Sequence, residues 1–235
     1  MEDVNCWKLK FSSCQCSDKL LDSLNLLNTK VRCPIDLNEV AKAIYYAKKY
    51  HGSQMRESGD PYYSHPLEVA YLFAEYARKN EQYYKTDLVV TAILHDCIED
   101  TKLTKEMIST IFNRAVASKV EDLTRIKFDK KITAGETVNL LFLQHKNDLL
   151  NIKLFDRFHN MSTISSMKPE KVQKIVEETM LYFLPLASYL GIYEIKKKLT
   201  KLCCDNLVFT PSSRQVQRHW STCRLGKIHF FSPIL

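Results

Sequence analysis

Apolar residues recur three and four positions apart along most of the chain, which is the spacing of one buried face of a helix. The clearest segment opens at Asp36, with Glu39 three positions later as in a capping box. The apolar positions of this segment share one helical face: Leu37, Val40, Ala41, Ile44 and Ala47. The pattern predicts a helix from Asp36 to about Gly52.

Similar patterns predict helices through the rest of the chain. Leucines at 20, 21, 24 and 27 indicate a short peripheral helix within residues 1–35. After a loop over residues 52–64, a second main helix is expected from Pro66 to about Lys79, because proline is tolerated in a first helical turn. A third is expected to begin near Thr86 and to continue through residue 100, and Thr104 is the expected N-cap of a fourth. Further helices are predicted over 114–124, 136–147, 148–161, 169–185, with Pro185 as a kink or stop, and 192–204.

Composition favours an all-α fold. The chain has 235 residues with only 5 Gly and 7 Pro, so turn-forming residues are too few for a sandwich or barrel. Three regions are predicted: an N-terminal extension (1–35), one folded domain (36–205) and a weakly structured basic tail (206–235). The whole chain has a net charge of +7. The tail alone carries four basic and no acidic residues, and the central domain is nearly neutral. We therefore expect no nucleic-acid partner.

The sequence offers no membrane segment of sufficient length. The longest charge-free run, Thr179 to Tyr193, has 15 residues, short of the ~20 that span a bilayer. The acidic N-terminus lacks the features of a secretory signal, and the eight cysteines show no CxxC spacing. We expect a cytoplasmic protein with free thiols and no membrane partner.

Two histidines and several carboxylates are candidates for a metal site. Within the predicted third helix, His95 precedes Glu99 by four positions and Asp96 precedes Asp100 by four, so each pair is expected to share a helical face. With His65 on the preceding helix and Asp156 on a later one, the donors are imidazoles and carboxylates. Such a set suits Mn, Fe or Zn. The alternatives are a buried hydrogen-bonded His95-Asp96 pair, a loop or capping role for His65, and an ion pair between Asp156 and Arg157.

Three ordered motifs resemble the hydrolase domain of RelA/SpoT proteins, which make and destroy the alarmone (p)ppGpp. The first is AKKYHGSQMRESGDPYYSHP at 47–66, the second LHDCIEDT at 94–101, and the third IKLFDRFHNM at 152–161. The resemblance covers residues 36–205 and implies an all-helical HD-domain fold.

The same resemblance implies a manganese site and a pair of hydrolytic carboxylates. The implied ligands of Mn²⁺ are His65, His95, Asp96 and Asp156. Glu99 and Asp100 are implied members of the hydrolytic machinery, and both are present in this chain. An alternative ligand set would use His51 or His159, which are more simply interpreted as helix-end residues.

Substrate contacts are also implied by position within the motifs. Arg56 matches the residue that stacks on guanine, Asn160 and Thr163 match positions near the nucleoside, and Ser58 is a plausible contact to the base edge. The run at 120–125, VEDLTR, departs from the usual VDGVTK of the family, so that Asp122 replaces glycine and Arg125 replaces a lysine on the substrate side. Glu57 stands where a basic residue is common.

The leading prediction is a Mn-dependent hydrolase that converts ppGpp or pppGpp to GDP or GTP and pyrophosphate, in a chain without a synthetase domain. Two alternatives stay open: an HD-fold phosphohydrolase acting on another nucleotide, such as NADPH or an adenine alarmone, and an inactive alarmone-binding regulatory module. The sequence predicts no oligomeric state.

Overall fold

The computed structural model describes residues 6–127 and 130–207 of the chain. The chain divides into two compact units, Met1–Lys131 and Ile132–Leu235. In the described ranges both units consist mainly of α-helices, and the strands form a single two-stranded hairpin. The predicted all-helical fold class is confirmed. No helix in these ranges is both long and apolar enough to span a membrane.

The first unit contains eight helices and the hairpin in its described residues. The helices are α1 (Trp7–Lys10), α2 (Gln15–Asn28), α3 (Leu37–His51), α4 (Ser64–Ala77), α5 (Thr86–Leu94), α6 (Cys97–Asp100), α7 (Lys105–Ile111) and α8 (Arg114–Leu123). The hairpin pairs β1 (Ile126–Lys127) with β2 (Lys130–Lys131) in antiparallel register.

Helix α5 is the centre of this unit. Every residue from Leu88 to Leu94 is buried, and α5 packs against α3, α4 and α8. Helix α2 packs against α3 and α4 and buries Leu20, Leu24 and Leu27. The leading segment of the chain therefore contributes to this core.

The helix boundaries near the predicted site follow from capping residues. The Asp36 carboxylate accepts hydrogen bonds from the backbone N–H groups of Asn38 and Glu39, as the sequence predicts for the start of α3. Gly52 ends α3 with a φ of 54°, a left-handed conformation that glycine adopts without steric cost. Thr104 caps α7 by accepting from the Met107 N–H, which confirms that boundary.

The predicted continuous helix over the second motif is wrong. Helix α5 ends at Leu94, and α6 begins as a separate turn at Cys97. His95 and Asp96 form a turn between the two helices, and Asp96, with φ −98° and ψ −6°, is the N-cap of α6. The polar residues of the motif therefore do not stand on one straight rod.

The second unit contains five helices in its described residues: α9 (Ala134–Leu143), α10 (Asn147–Ser162), α11 (Pro169–Glu178), α12 (Leu184–Tyr189) and α13 (Tyr193–Asn206). A 3₁₀ turn, Ile164–Ser166, follows α10, and a π-helical segment, Thr179–Phe183, joins α11 to α12. Pro185 lies in the first turn of α12, so the helical path continues past it to Tyr189. Helix α10 packs against α9, α12 and α13.

The predicted domain over 36–205 includes parts of both units, and its boundaries stay a prediction. Residues 1–5 of the N-terminal extension lie outside the described residues. So does the predicted tail, apart from Asn206 and Leu207.

Candidate metal centre

His65 and His95 come together in the first unit because their helices pack side by side. His65 lies in the first turn of α4 and His95 follows the last residue of α5. Both side chains are buried, with 2% and 1% exposure, and their ring centroids are 5.4 Å apart. The ring nitrogens that each offers to a metal lie within 4.8 Å of one another.

The Asp96 carboxylate lies against both imidazoles. Its Oδ1 is 3.2 Å from His95 Nε2, and its Oδ2 is 3.8 Å from His65 Nε2. The turn between α5 and α6 gives Asp96 this position, with 18% of its side chain exposed. Three of the predicted ligands are thus grouped in the first unit.

The hydrogen bond of His95 defines which of its nitrogens can bind a metal. His95 Nδ1 is 2.8 Å from the carbonyl oxygen of Ala92. Since a carbonyl only accepts, Nδ1 carries the proton and the lone pair of the neutral ring is on Nε2, the atom that faces Asp96. Metal-binding histidines are typically oriented by such a bond to a backbone carbonyl. Two imidazoles and a carboxylate therefore fit a divalent transition ion.

Glu99 is held by two cations. Its carboxylate accepts from the backbone N–H, Nε and Nη2 of Arg125, at 3.1, 3.2 and 2.6 Å, and from Lys131 Nζ at 2.9 Å. The side chain is only 5% exposed. Burial alone would raise the pKa of Glu99, but the hydrogen bonds from Arg125 and Lys131 outweigh it and lower that pKa. Glu99 is an ionised acceptor whose position is tightly defined.

The pairing of Glu99 with both Arg125 and Lys131 was not predicted. The sequence marks Arg125 as a substrate contact, and the structure places its guanidinium on Glu99. Lys131 reaches the same carboxylate from β2, after the hairpin turn. Because the hairpin strands have only two residues each, no hydrophobic alternation in the sequence could have located Lys131 beside Glu99.

Tyr62 joins the second carboxylate of the motif to the proposed ligand Asp96. Its hydroxyl lies 2.6 Å from Asp100 Oδ2 and 3.2 Å from Asp96 Oδ2. The short distance to Asp100 is that of an O–H to carboxylate bond. Tyr62 precedes α4 within the first motif, PYYSHP, and its role was missed because tyrosine is usually a packing residue.

The side chain of His51 packs against the ring of Tyr62. Its ring stacks on Tyr62, with centroids 4.6 Å apart and planes at 23°. His51 Nδ1 is 2.9 Å from Gln54 Oε1, and Gln54 donates in turn to the Asp100 backbone carbonyl at 2.9 Å. Burial lowers the pKa of His51 and outweighs the opposing influence of Gln54 and the nearby carboxylates. The Nδ1 atom of His51 is thus occupied by Gln54 and its ring by the stacking contact with Tyr62.

The predicted guanine-binding residues lie on the loop between α3 and α4. Met55 and Pro61 form an isolated antiparallel bridge, and the backbone N–H of Arg56 donates to the Asp60 carbonyl. Ser58 Oγ donates to Asp60 Oδ2 at 2.8 Å. The loop is therefore ordered by its own hydrogen bonds, with Arg56 half-buried and Ser58 exposed.

The remaining predicted residues lie on α10 or at its C-cap in the second unit. Asp156 is half-buried and accepts from Lys153 Nζ at 3.2 Å and from Asn160 Nδ2 at 2.7 Å. Lys153 itself is 4% exposed, which makes it a buried cation that the sequence did not single out. Thr163 caps the end of α10, where its hydroxyl donates to the His159 carbonyl.

The ion pair considered between Asp156 and Arg157 is replaced by two other pairs. Arg157 donates to Glu178, and its guanidinium lies 4.3 Å from the centroid of the Phe183 ring. Asp156 pairs with Lys153 one turn earlier. Adjacent residues on a helix point in different directions, so the side chains of Asp156 and Arg157 lie in different environments.

Comparison with known proteins shows similarity over this region. Residues 43–193 match the HD domain family. The "GTP pyrophosphokinase rsh" of Brucella ovis is 39% identical over 175 residues, covering 71% of this chain and 22% of that protein. The "Bifunctional (p)ppGpp synthase/hydrolase SpoT" of Escherichia coli K12 is 36% identical over 189 residues, covering 78% and 26%. A Shigella flexneri protein named "Guanosine-3′,5′-bis(diphosphate) 3′-pyrophosphohydrolase" matches to the same extent. The chain spans about a quarter of the length of these relatives.

Proposed function

The chain belongs to the HD domain family and is a RelA/SpoT-type member of it, and from this premise we propose that it hydrolyses the 3′-pyrophosphate of ppGpp and pppGpp to give GDP or GTP and pyrophosphate. The observation that carries the proposal is the grouping of two buried imidazoles with Asp96 and a tyrosine-linked Asp100. All of these residues lie in the segment shared with relatives whose names include this hydrolysis.

The residues that would hold Mn²⁺ are His65, His95 and Asp96. Asp156 is proposed as the fourth ligand because it belongs to the third motif. A bound Mn²⁺ lowers the pKa of water and screens phosphate charge. The donor chemistry also fits iron or zinc, and metal analysis distinguishes them.

The two carboxylates after the ligand motif are proposed to handle the attacking water. Asp100 accepts a hydrogen bond from the neutral hydroxyl of Tyr62, so its carboxylate remains available to accept a proton from that water. Glu99 is already neutralised by Arg125 and Lys131, which makes it a poor base and a good fixed acceptor. We infer that Asp100 takes the proton and that Glu99 orients.

The substrate contacts follow from the motifs and from the observed loop. Arg56 is proposed to stack on the guanine base and Ser58 to bind its edge, both from the loop that precedes α4. Asn160 and Thr163, at the end of α10, are proposed to contact the nucleoside. Arg125 lies on Glu99, and its guanidinium has five N–H donors, enough for that carboxylate and a phosphate oxygen.

The decisive experiment measures pyrophosphate release from ppGpp, with the metal-free protein and Mn²⁺-loaded protein compared. Turnover only with Mn²⁺ is the expected result. A parallel panel of pppGpp, NADPH and an adenine alarmone identifies the substrate class. Turnover of another nucleotide in place of ppGpp would refute the alarmone assignment, and binding of ppGpp without turnover would favour the regulatory module.

Metal content tests the ligand set independently of activity. Elemental analysis after Mn²⁺ loading is expected to give one ion per chain, and Asp96→Ala is expected to lose it because Asp96 lies against both imidazoles. Asp22→Ala, at an exposed carboxylate on α2, is the matched control and should keep full occupancy. Undiminished metal in Asp96→Ala would remove this residue from the site.

A further inference from the structure

Two cysteines face each other at the start of α2, in a part of the chain that the proposed hydrolysis does not use. Cys14 is the N-cap of α2 and Cys16 lies in its first turn. Their Sγ atoms are 3.8 Å apart, and both side chains are partly exposed. The arrangement presents two thiols to solvent at contact distance.

The surroundings of Cys14 stabilise a thiolate. Its sulfur faces the backbone N–H of Ser17, and Ser17 Oγ accepts in return from the Cys14 N–H at 2.7 Å, forming a capping box. Partial burial would raise the pKa of Cys14, but hydrogen bonds from Ser17 and Cys16 and the positive charge of Lys48 lower it to about 7. The pKa of Cys16 is raised by burial and by its thiolate neighbour. The pair thus combines a nucleophilic thiolate with a protonated thiol.

We propose that Cys14 and Cys16 form a redox-active dithiol that closes to an intramolecular disulfide when the protein meets a peroxide. The Cys14 thiolate attacks one peroxide oxygen, the O–O bond breaks, and Cys14 becomes a sulfenic acid as hydroxide leaves. Cys16 then attacks the Cys14 sulfur, the S–O bond breaks, and water leaves with the proton of Cys16. Both cysteines are oxidised and one peroxide is reduced; a small dithiol reverses the reaction by exchange.

The geometry permits this closure without rearranging the core. The two sulfurs must approach from 3.8 Å to about 2.0 Å, which is the length of a disulfide bond. Cys14 has extended backbone angles, φ −152° and ψ 163°, and joins the helical ladder only through its carbonyl, which accepts from the Asp18 N–H, so its side chain can rotate without breaking α2. The contacts of the Cys14 sulfur that closure would alter are those with the Ser17 N–H and the Tyr63 hydroxyl.

Other cysteines of the described chain lack this combination. Cys203 and Cys204 are adjacent on α13, but burial raises the pKa of Cys203 to about 12. Cys33 is exposed and has no thiol neighbour within hydrogen-bonding distance in the described residues. At pH 7 a thiol with a pKa of about 7 is half ionised, roughly 16-fold more than an ordinary thiol with a pKa near 8.5. Its lower intrinsic nucleophilicity reduces the net rate advantage to roughly threefold.

The test is peptide mapping of the full-length protein after treatment with stoichiometric hydrogen peroxide. Trypsin cleaves after Lys10 and Lys19, so one peptide contains Cys14 and Cys16 and no other cysteine. The expected peptide after oxidation and alkylation is two hydrogens lighter than the dithiol and carries no alkyl group, and prior reduction restores two alkyl groups. The peptide with Cys203 and Cys204 is the internal control and should be alkylated throughout.

Two variants assign the roles. Cys16→Ser is expected to stop at a Cys14 sulfenic acid that dimedone traps, whereas Cys14→Ser should leave Cys16 as a thiol under the same dose. Both substitutions are at partly exposed positions and are expected to preserve the fold. Full alkylation of the wild-type peptide after peroxide, or disulfide formation at the same rate in urea-unfolded protein, would overturn the proposal.

Discussion

Removing the Tyr62 hydroxyl tests whether the carboxylates of the site are positioned by the network around α6. Tyr62→Phe deletes the hydroxyl that meets Asp100 at 2.6 Å and Asp96 at 3.2 Å. The phenyl ring keeps the stacking contact with His51 at 4.6 Å between centroids. The substitution therefore isolates one hydrogen-bonding group from the packing around it.

The expected effect is on turnover rather than on substrate binding. Hydrogen bonds to charged groups contribute about 1.5–3 kcal/mol. The site is only partly buried, so water takes part of the role of the hydroxyl, and the lower end of that range applies. Since about 1.4 kcal/mol corresponds to a tenfold change in rate, we expect kcat to fall roughly 10- to 30-fold with KM little changed.

The assay is steady-state pyrophosphate release from ppGpp with saturating Mn²⁺. Tyr63→Phe is the matched control, because the neighbouring hydroxyl bonds to Cys14 and is expected to leave kcat within about twofold. Metal content, measured on the same samples, is expected to be close to one ion per chain, since Tyr62 is not one of the proposed ligands.

Three results would contradict this account of Tyr62. An unchanged kcat would show that Asp100 is held by other groups. A raised KM with unaltered kcat would make Tyr62 a substrate contact, because a uniform loss of binding raises KM alone. Loss of metal with recovery of activity at high Mn²⁺ would shift the role of Tyr62 to ligand support.

Three further predictions follow from the site and the fold. Glu99→Gln and Asp100→Asn should keep the metal and lose kcat by ~10²–10⁴-fold, as expected for groups that act in the transition state; metal loss would make them ligands. A protein ending at Asp205 should keep its helix content and Mn-dependent turnover, and loss of turnover at low and moderate salt with intact helices would place the tail in the active site. Arg157→Met should cost about 1.5–3 kcal/mol in urea unfolding, because it removes the buried guanidinium that donates to the partly buried Glu178 carboxylate. Lys198→Met, which breaks an exposed helical pair, should cost under about 0.5 kcal/mol and serves as its control, and equal costs would refute the buried pair.

Local sequence signals predicted the elements that position the site. The start of α3 at Asp36 and of α7 at Thr104 depends on side chains that bond to backbone within three residues, so the sequence alone contains the cause. His65 and His95 were grouped from the donor chemistry of their side chains and from the resemblance of their motifs, although His95 was expected inside a continuous helix. The structure places Asp96 against both histidines, and their role as metal ligands stays a prediction.

The interactions that the sequence did not predict depend on contacts between distant segments. The break between Leu94 and Cys97 leaves no proline or glycine signal, since His95 and Asp96 are ordinary residues in a helical pattern. Lys131 meets Glu99 only because a short hairpin reverses the chain after α8. A pattern of local periodicity contains no information on either feature.

The contrast between Glu99 and Asp100 shows how one short turn provides two carboxylates with different chemistry. Glu99 faces Arg125 and Lys131, which keep its pKa low despite its burial. The folded protein therefore favours the ionised form. This interaction stabilises the fold at pH values above the ordinary glutamate pKa, and the stabilisation is lost as the pH falls through the lowered value. Asp100 accepts instead from the neutral hydroxyl of Tyr62, and no cation pairs with it in the described residues. These surroundings are the basis on which we propose the acid-base role for Asp100, and for Glu99 the role of a fixed negative charge that orders Arg125.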